Sequence, residues 1–217
     1  MLLLAFDTAT PAVTVALHDG TRVLSARTRV DARRHGELLV PGIVAVLDEA
    51  GRSRADLTDI AVGVGPGPYT GLRVGLMTAR ALGDALGVPV HGVCTLDALA
   101  YGAARTGPFV AATDARRKEV YWARYADART RTEGPSVNRA ADIAASVAQL
   151  PAIGAGAALY PESFASVHEP DHVDAAALAA LAAERLAHGG ELLPPEPLYL
   201  RRPDAKVPAN YKPVTPR

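Results

Sequence analysis

Two short stretches carry the residue types that chemistry could use. One is Asp7-Thr8, which closes the apolar run 2–6. The other is Gly63-Val-Gly-Pro-Gly-Pro-Tyr-Thr-Gly-Leu-Arg-Val-Gly75. Glycine admits positive φ and close backbone approach, and proline fixes φ and suits the start of a helix. The run feeds a helix predicted to begin near Tyr69. Its N-terminus aims free N–H groups and a partial positive charge at whatever lies before it. Such a loop holds either an anion or another backbone. In the first case Asp7, Thr8, Gly65, Gly67 and Thr70 outline a metal–phosphate site. In the second, Asp7 and Thr8 cap a turn. Both stretches end neighbouring predicted strands, where α/β sheets place ligands. Neither the phosphate-loop Gly-Lys-Ser/Thr nor the dinucleotide Gly-x-Gly-x-x-Gly pattern is matched at this loop.

Other chemistries find less support. A metal-binding histidine pair at i, i+4 would need a second histidine after His35, but position 39 is Leu39. His168 and His172 flank Glu-Pro-Asp, and Pro170 argues against one helix carrying both. No metal site is expected. Cys94 is the single cysteine, so an internal disulfide is excluded and a buried thiol is expected. No Gly-x-Ser-x-Gly elbow is present. Arg116, Arg117, Lys118, Arg124, Arg129 and Arg131 outnumber nearby acids, with Tyr121, Trp122 and Tyr125 interleaved, and Arg201, Arg202, Lys206, Lys212 and Arg217 load the tail. Either these cations meet RNA phosphate, or they coat a hairpin whose aromatics are core.

The positioning elements follow from periodicity and turn signals. Residues 2–6, 12–17 and 21–28 read as three antiparallel strands, with a hairpin at Asp19-Gly20. A helix is expected over about 37–50, a strand over 59–64, a helix over 69–86, a strand over 88–93 and a short helix over 95–104. Residues 105–108 read as a boundary, so the chain divides into 1–104 and 105–217. The second part is expected to hold a hairpin around 114–118, a helix over 140–150, a short strand over 152–156, an alanine-rich helix over 174–188 and a proline-rich basic tail. The order argues an α/β protein with a mixed sheet.

Two helices depart from the ordinary pattern. Leu39, Val40, Ile43, Val44, Val46, Leu47 and Ala50 cover about 160° of the helical wheel, where a one-sided helix needs little more than about 100°. Gly71, Gly75, Ala79 and Gly83 fall four apart and make one ridge without side chains. Each interior glycine costs about 1 kcal/mol relative to alanine, so some neighbour must come close. That neighbour is either the chain's own sheet or another protein. A partner surface would draw on Leu39, Ile43, Val46, Tyr69, Gly71, Leu72, Val74, Gly75 and Met77.

Bulk properties narrow the class. The chain has 217 residues and a formal net charge of +0, so it is not a generic polyanion binder. Its start lacks a basic region and meets Asp7, unlike a signal peptide. No apolar run reaches membrane-spanning length. A cytoplasmic protein is expected.

Leu4-Ala-Phe-Asp-Thr-Ala-Thr10, His35-Gly-Glu-Leu-Leu-Val-Pro41, the Gly63–Gly75 run, Asp114-Ala-Arg-Arg-Lys-Glu-Val-Tyr121 and Glu196-Pro-Leu-Tyr-Leu-Arg201 together resemble the TsaB (YeaZ) family. The resemblance spans nearly the whole chain and is thinnest over 135–190. It implies an actin/Hsp70-like ATPase fold of two RNase-H-like lobes, the second smaller. It implies a part in forming N6-threonylcarbamoyladenosine at position 37 of tRNA. In that system a separate synthase makes threonylcarbamoyl-adenylate, the metal-bearing paralogue TsaD transfers the group, and the ATPase TsaE joins them. The resemblance makes this chain a required non-catalytic partner of TsaD without a cofactor of its own, reaching tRNA through the complex and pairing with itself when alone. Leu39, standing where the paralogue has its second metal histidine, agrees with that role. Asp7 and Thr8 would be relics of a phosphate site. The rival expectation is a nucleotide-dependent phosphotransferase using Asp7 and the Gly65–Gly67 loop.

Overall fold

A computed structural model describes residues 1–201. The first half runs β1 (Leu3–Asp7), β2 (Ala12–His18), β3 (Val23–Val30), α1 (His35–Glu49), β4 (Asp59–Gly63), α2 (Tyr69–Leu86), β5 (Val90–Val93) and α3 (Thr95–Gly102). The second runs β6 (Phe109–Asp114), β7 (Glu119–Asp127), β8 (Thr130–Arg139), α4 (Ala140–Val147), β9 (Pro151–Ile153), α5 (Ala155–Leu159), β10 (Ser166–His168) and α6 (Ala175–Ala187). Residues 202–217 lie outside the described part, and with them the tail cations Arg202, Lys206, Lys212 and Arg217.

The first sheet has the order β3-β2-β1-β4-β5, antiparallel across β1–β2–β3 and parallel across β1–β4–β5. The second has the order β8-β7-β6-β9-β10, antiparallel across β6–β7–β8 and parallel across β6–β9–β10. Strand for strand, the two are the same sheet built twice.

Strand β1 is apolar at every position before Asp7 because helices cover both its faces. Leu2, Leu4 and Phe6 point into the core under α1 and α2. Leu3 and Ala5 point into the core formed with α3, α6, β6 and β7. The outer face of the second sheet packs Val110, Val120 and Trp122 on Ile143 and Val147 of α4. Tyr121, Trp122 and Tyr125 are all buried, so the aromatics of the basic hairpin belong to the core and offer no stacking platform for bases.

The first sheet ends with β5 and the second begins with β6, and α6 returns to pack on β1, β2 and β3. A carboxylate ties the halves at this seam. Asp97 of α3 accepts from Tyr125 Oη at 2.9 Å and Arg131 at 3.1 Å, and Arg185 of α6 lies 3.5 Å away. Tyr125 stacks on Phe109, and burial beside Asp97 pushes its hydroxyl pKa well up. Burial also pushes the Cys94 thiol up, to about 11, consistent with an inert core thiol.

Some elements differ from the sequence expectation. α1 begins at His35 and keeps Pro41 in its interior, where the ring removes one helical hydrogen bond on the exposed side. β8 was not foreseen: its polar run with Gly134-Pro135 lacks alternation because it is a largely exposed edge. The strand expected over 152–156 is β9 followed directly by α5, with the turn at Gly154. Among the described residues no helix is long and apolar enough to cross a membrane.

Candidate functional site

The Gly63–Gly75 run holds another backbone. Thr8 and Ala9, in the turn after β1, sit directly against it. A Cβ on Gly67 would collide with the Ala9 carbonyl, and one on Gly71 with the Thr8 carbonyl. A Cβ on Gly75 would lie 2.6 Å from Thr8 Oγ1. Gly65, at φ +95, is clamped from both sides by Thr95: its amide donates to Thr95 Oγ1 at 3.1 Å, and the Thr95 amide donates to its carbonyl at 2.8 Å. The glycine ridge therefore faces the chain's own β1 turn. This corrects the assignment of Gly71 and Gly75 to a partner surface.

Asp7 is fully buried and turned away from solvent. Its Oδ1 accepts from the Ala9 amide at 2.7 Å and its Oδ2 from the Thr95 hydroxyl at 2.7 Å. Burial raises its pKa, against the opposing effects of those bonds and of His35. His35 sets its Nε2 2.8 Å from the Thr10 carbonyl. Asp7, Gly65 and Gly67 are thus internal, whereas Thr8 and Thr70 reach the cleft beside them. Among the described residues no group of three or more His, Cys, Asp or Glu could hold a metal.

That cleft, about 540 Å³, runs between the two sheets. Thr8, Thr10, Arg33, Tyr69 and Thr70 line one side, and Thr113, Asp114, Arg116 and His172 the other. Two polar atoms of its lining, Thr113 Oγ1 and His172 Nδ1, are buried with no hydrogen-bond partner among the described residues. The turn after β6 holds Arg116, Arg117 and Lys118 in succession at φ between +55 and +64, a conformation costly for residues with side chains. Asp114 supports it by accepting the Arg116 amide at 2.7 Å. Sequence reasoning foresaw this hairpin but not that Thr113, Arg116 and His172 would share a cleft with Thr70, because the second sheet's register was illegible.

The outer face of α1 and α2 carries four uncovered apolar side chains. Val40 and Val44 are 54 % and 50 % exposed, Tyr69 57 % and Met77 47 %. Leu39, Ile43, Val46 and Leu72 are buried in the chain's own core, and Val74 is half-buried beside the cleft. Of the nine residues expected on a partner surface, only Tyr69 and Met77 are fully on it. The over-wide stripe of α1 explains the shift: Leu39, Ile43 and Val46 form its inner edge, and Val40 and Val44 its outer one.

Two sheets of identical order, joined by a cleft, define an actin/Hsp70-like ATPase fold. The activator of 2-hydroxyisocaproyl-CoA dehydratase from Clostridium difficile shares that fold with a TM-score of 0.51 at 10% identity, over 89% of this chain and 100% of that one. The family described as "TsaD: tRNA N6-adenosine threonylcarbamoyltransferase" matches residues 27–160. YeaZ from Pseudomonas aeruginosa superposes with a TM-score of 0.79 at 31% identity, covering 92% of this chain and 99% of that one. An uncharacterized protein of Mycobacterium tuberculosis is 49% identical over 209 residues, 94% of this chain and 93% of its own length. The tRNA threonylcarbamoyladenosine biosynthesis protein TsaB of Escherichia coli is 41% identical over 129 residues, 58% of this chain and 55% of that protein. The chain belongs to the TsaB (YeaZ) family.

Proposed function

We propose that this chain is a non-catalytic accessory subunit for N6-threonylcarbamoyladenosine formation in tRNA, working in the cytoplasm by docking on the transferase TsaD. The observation that carries the reading is the uncovered stripe Val40, Val44 and Met77 with Tyr69 on two adjacent helices. Val40 and Val44 stand one turn apart on α1 and Tyr69 and Met77 two turns apart on α2, and exposed apolar side chains grouped in this way mark interaction sites. The match of residues 27–160 to the TsaD family supports a partner of the same fold presenting an equivalent helix pair. A stable contact of that kind buries about 1,600 Å² in total. The non-catalytic part rests on Asp7, held by Ala9 and Thr95, and on Leu39, whose side chain is core. TsaE and the threonylcarbamoyl-adenylate synthase act through the assembled complex, as does contact with tRNA. In the absence of TsaD the same stripe pairs two copies of this chain.

Co-expression with TsaD of the same cell tests the reading. The double variant Val44→Glu, Met77→Glu should fold like the wild type and lose TsaD on affinity purification. Retention of TsaD at the wild-type yield overturns the docking surface.

The rival phosphotransferase reading draws on one observation, the two unpartnered atoms Thr113 Oγ1 and His172 Nδ1 in the cleft. It requires nucleotide binding by the isolated chain, which calorimetry with Mg-ATP measures directly.

A further inference from the structure

After α6 the chain does not leave the fold. Residues 192–201 run back across the first sheet as a strap, held at successive points. Leu193 exchanges two backbone hydrogen bonds with Gly92 of edge strand β5, at 2.7 and 3.0 Å. Gly92 is required there, because a Cβ would lie 2.5 Å from the Pro194 carbonyl and 2.9 Å from that of Leu193. Arg80 of α2 donates twice to the Pro195 carbonyl, at 3.1 and 2.8 Å. The Leu198 amide donates to the Val64 carbonyl at 2.8 Å, and its side chain packs against both cores of the first sheet. Arg201 donates to the Ala115 carbonyl and pairs with Glu119 on the second sheet.

Between the last two anchors stands Tyr199. Its ring stacks on Tyr69, centroids 5.4 Å apart and planes 24° from parallel, yet it remains 45 % exposed. On the same Tyr69 ring lies the Arg73 guanidinium, 5.0 Å from the centroid, with no ion-pair partner among the described residues. Tyr69, Arg73 and Met77 follow one another at i, i+4 and i+8 along the outer face of α2, so the aromatic pair continues the stripe that ends at Met77. Two tyrosines, an arginine and a methionine are the side chains in which protein interfaces are enriched, and tyrosine and arginine the ones that dominate their energetics.

We propose that the strap exists to deliver Tyr199 to the docking face, so that the surface for the partner is built from both ends of the chain. This rests on the docking reading above and extends it. The occupant is the partner transferase, through a helix face that is apolar opposite Met77 and carries a carboxylate opposite Arg73. Arg73, exposed over the Tyr69 ring and donating to the Tyr69 hydroxyl, keeps further N–H groups of its fork for a carboxylate.

The full chain, co-expressed with TsaD of the same cell, carries the test. Tyr199→Ala should weaken TsaD binding about tenfold, and Tyr199→Phe, which keeps the stacking ring, should stay within about threefold of wild type. Both should melt within about 2 °C of wild type, since an exposed side chain contributes little to folding. A photo-crosslinking residue, Tyr199→p-benzoylphenylalanine, should crosslink to TsaD. Wild-type affinity for Tyr199→Ala, or a crosslink only to residues 202–217 or to a second copy of this chain, overturns the proposal. Met77→Glu separates the two readings. If Met77→Glu loses TsaD while Tyr199→Ala keeps it, the docking face stands and the strap's part in it is wrong. If both variants keep TsaD, the docking face itself is wrong.

Discussion

The Thr8 hydroxyl accepts the Gly75 amide hydrogen at 3.0 Å and donates to the Gly71 carbonyl at 2.7 Å. A side chain from the β1–β2 turn thus bridges the two groups that α2 pairs four residues apart. The helix is pinned to the sheet through its own backbone, which is possible only where neither helical residue has a Cβ.

Gly75→Ala should therefore destabilise the fold although alanine is the better helix former. The intrinsic gain is about 1 kcal/mol. Against it stands a Cβ placed 2.6 Å from Thr8 Oγ1, which must expel the hydroxyl from both of its bonds. Overpacking of this kind costs about 1–3 kcal/mol. The expected net loss in urea denaturation is the difference of the two, up to about 2 kcal/mol. In the background Thr8→Ala the same substitution should cost nothing or stabilise, giving a coupling of at least about 1 kcal/mol in a double-mutant cycle. Additivity would mean that the bridge contributes nothing. It also follows that Gly75→Glu is unsuitable for probing a partner surface, since it would break the fold first.

Asp7→Asn should remove the buried charge while keeping one acceptor oxygen, at the cost of turning the other accepting position into a donor. Burial raises the Asp7 pKa, so the folded state binds its proton more tightly than the unfolded chain does. The sign follows directly. Stability from this group is greatest below the unfolded carboxylate value and falls as pH rises through the raised folded value. Above that value the charge is carried inside at a cost that asparagine avoids. The variant's stability should be flatter with pH than the wild type's over this window. Asp7→Ala should instead lose about 2–3 kcal/mol, because it strands the Ala9 amide and the Thr95 hydroxyl. Chemical denaturation across pH 4–8 separates the two variants.

Residues whose neighbours are close in sequence were legible, and those positioned by pairing across the chain were not. The apolar run before Asp7, the Asp19-Gly20 hairpin and the Gly63–Gly75 loop all announced their elements through local chemistry. The glycine ridge was legible as a close approach, but not what approached. Thr8 comes from 67 residues away, and nothing in its own surroundings marks it. The stripe on α1 was legible as too wide, yet its inner and outer edges are chemically alike, so Leu39 and Val40 could not be told apart. β8 escaped because an exposed edge needs no alternation. Thr113, Arg116 and His172 were not legible as a group, since only the repeated strand order of the second sheet brings them to the cleft.

Asp97→Ala should weaken the seam between the sheets. The substitution leaves the buried Tyr125 hydroxyl without its acceptor and strips Arg131 and Arg185 of their carboxylate. Removing one partner of a fully buried charge pair costs about 3–5 kcal/mol; with the arginines 30% and 28% exposed, about 2–3 kcal/mol is expected. Asp97→Asn keeps an acceptor for Tyr125 and should cost roughly half as much. Thermal denaturation followed by tyrosine near-ultraviolet dichroism reports both stability and the packing of Tyr125 on Phe109. Equal effects of the two substitutions would show that the charge, not the Tyr125 bond, holds the seam.

Calorimetry with Mg-ATP on the isolated chain should give no binding tighter than about 10 μM, or about −6.8 kcal/mol. In the Gly65–Gly67 loop the Gly65 amide is taken by Thr95 Oγ1 and Ala9 packs against Gly67 where a Cβ would stand, which leaves little for a phosphate. Asp7 faces inward with both oxygens engaged and cannot orient a metal ion. What the cleft retains is Thr70 at the start of α2, Arg116, and the unpartnered Thr113 hydroxyl. Arg33 and Arg116 are offset by Asp114 and Asp171 in the same lining, so the cleft offers a triphosphate no concentrated positive charge. Binding tighter than that limit, lost in Thr113→Val but kept in Asp7→Asn, would move the nucleotide site from the sealed loop to the cleft wall and favour the phosphotransferase over the accessory subunit.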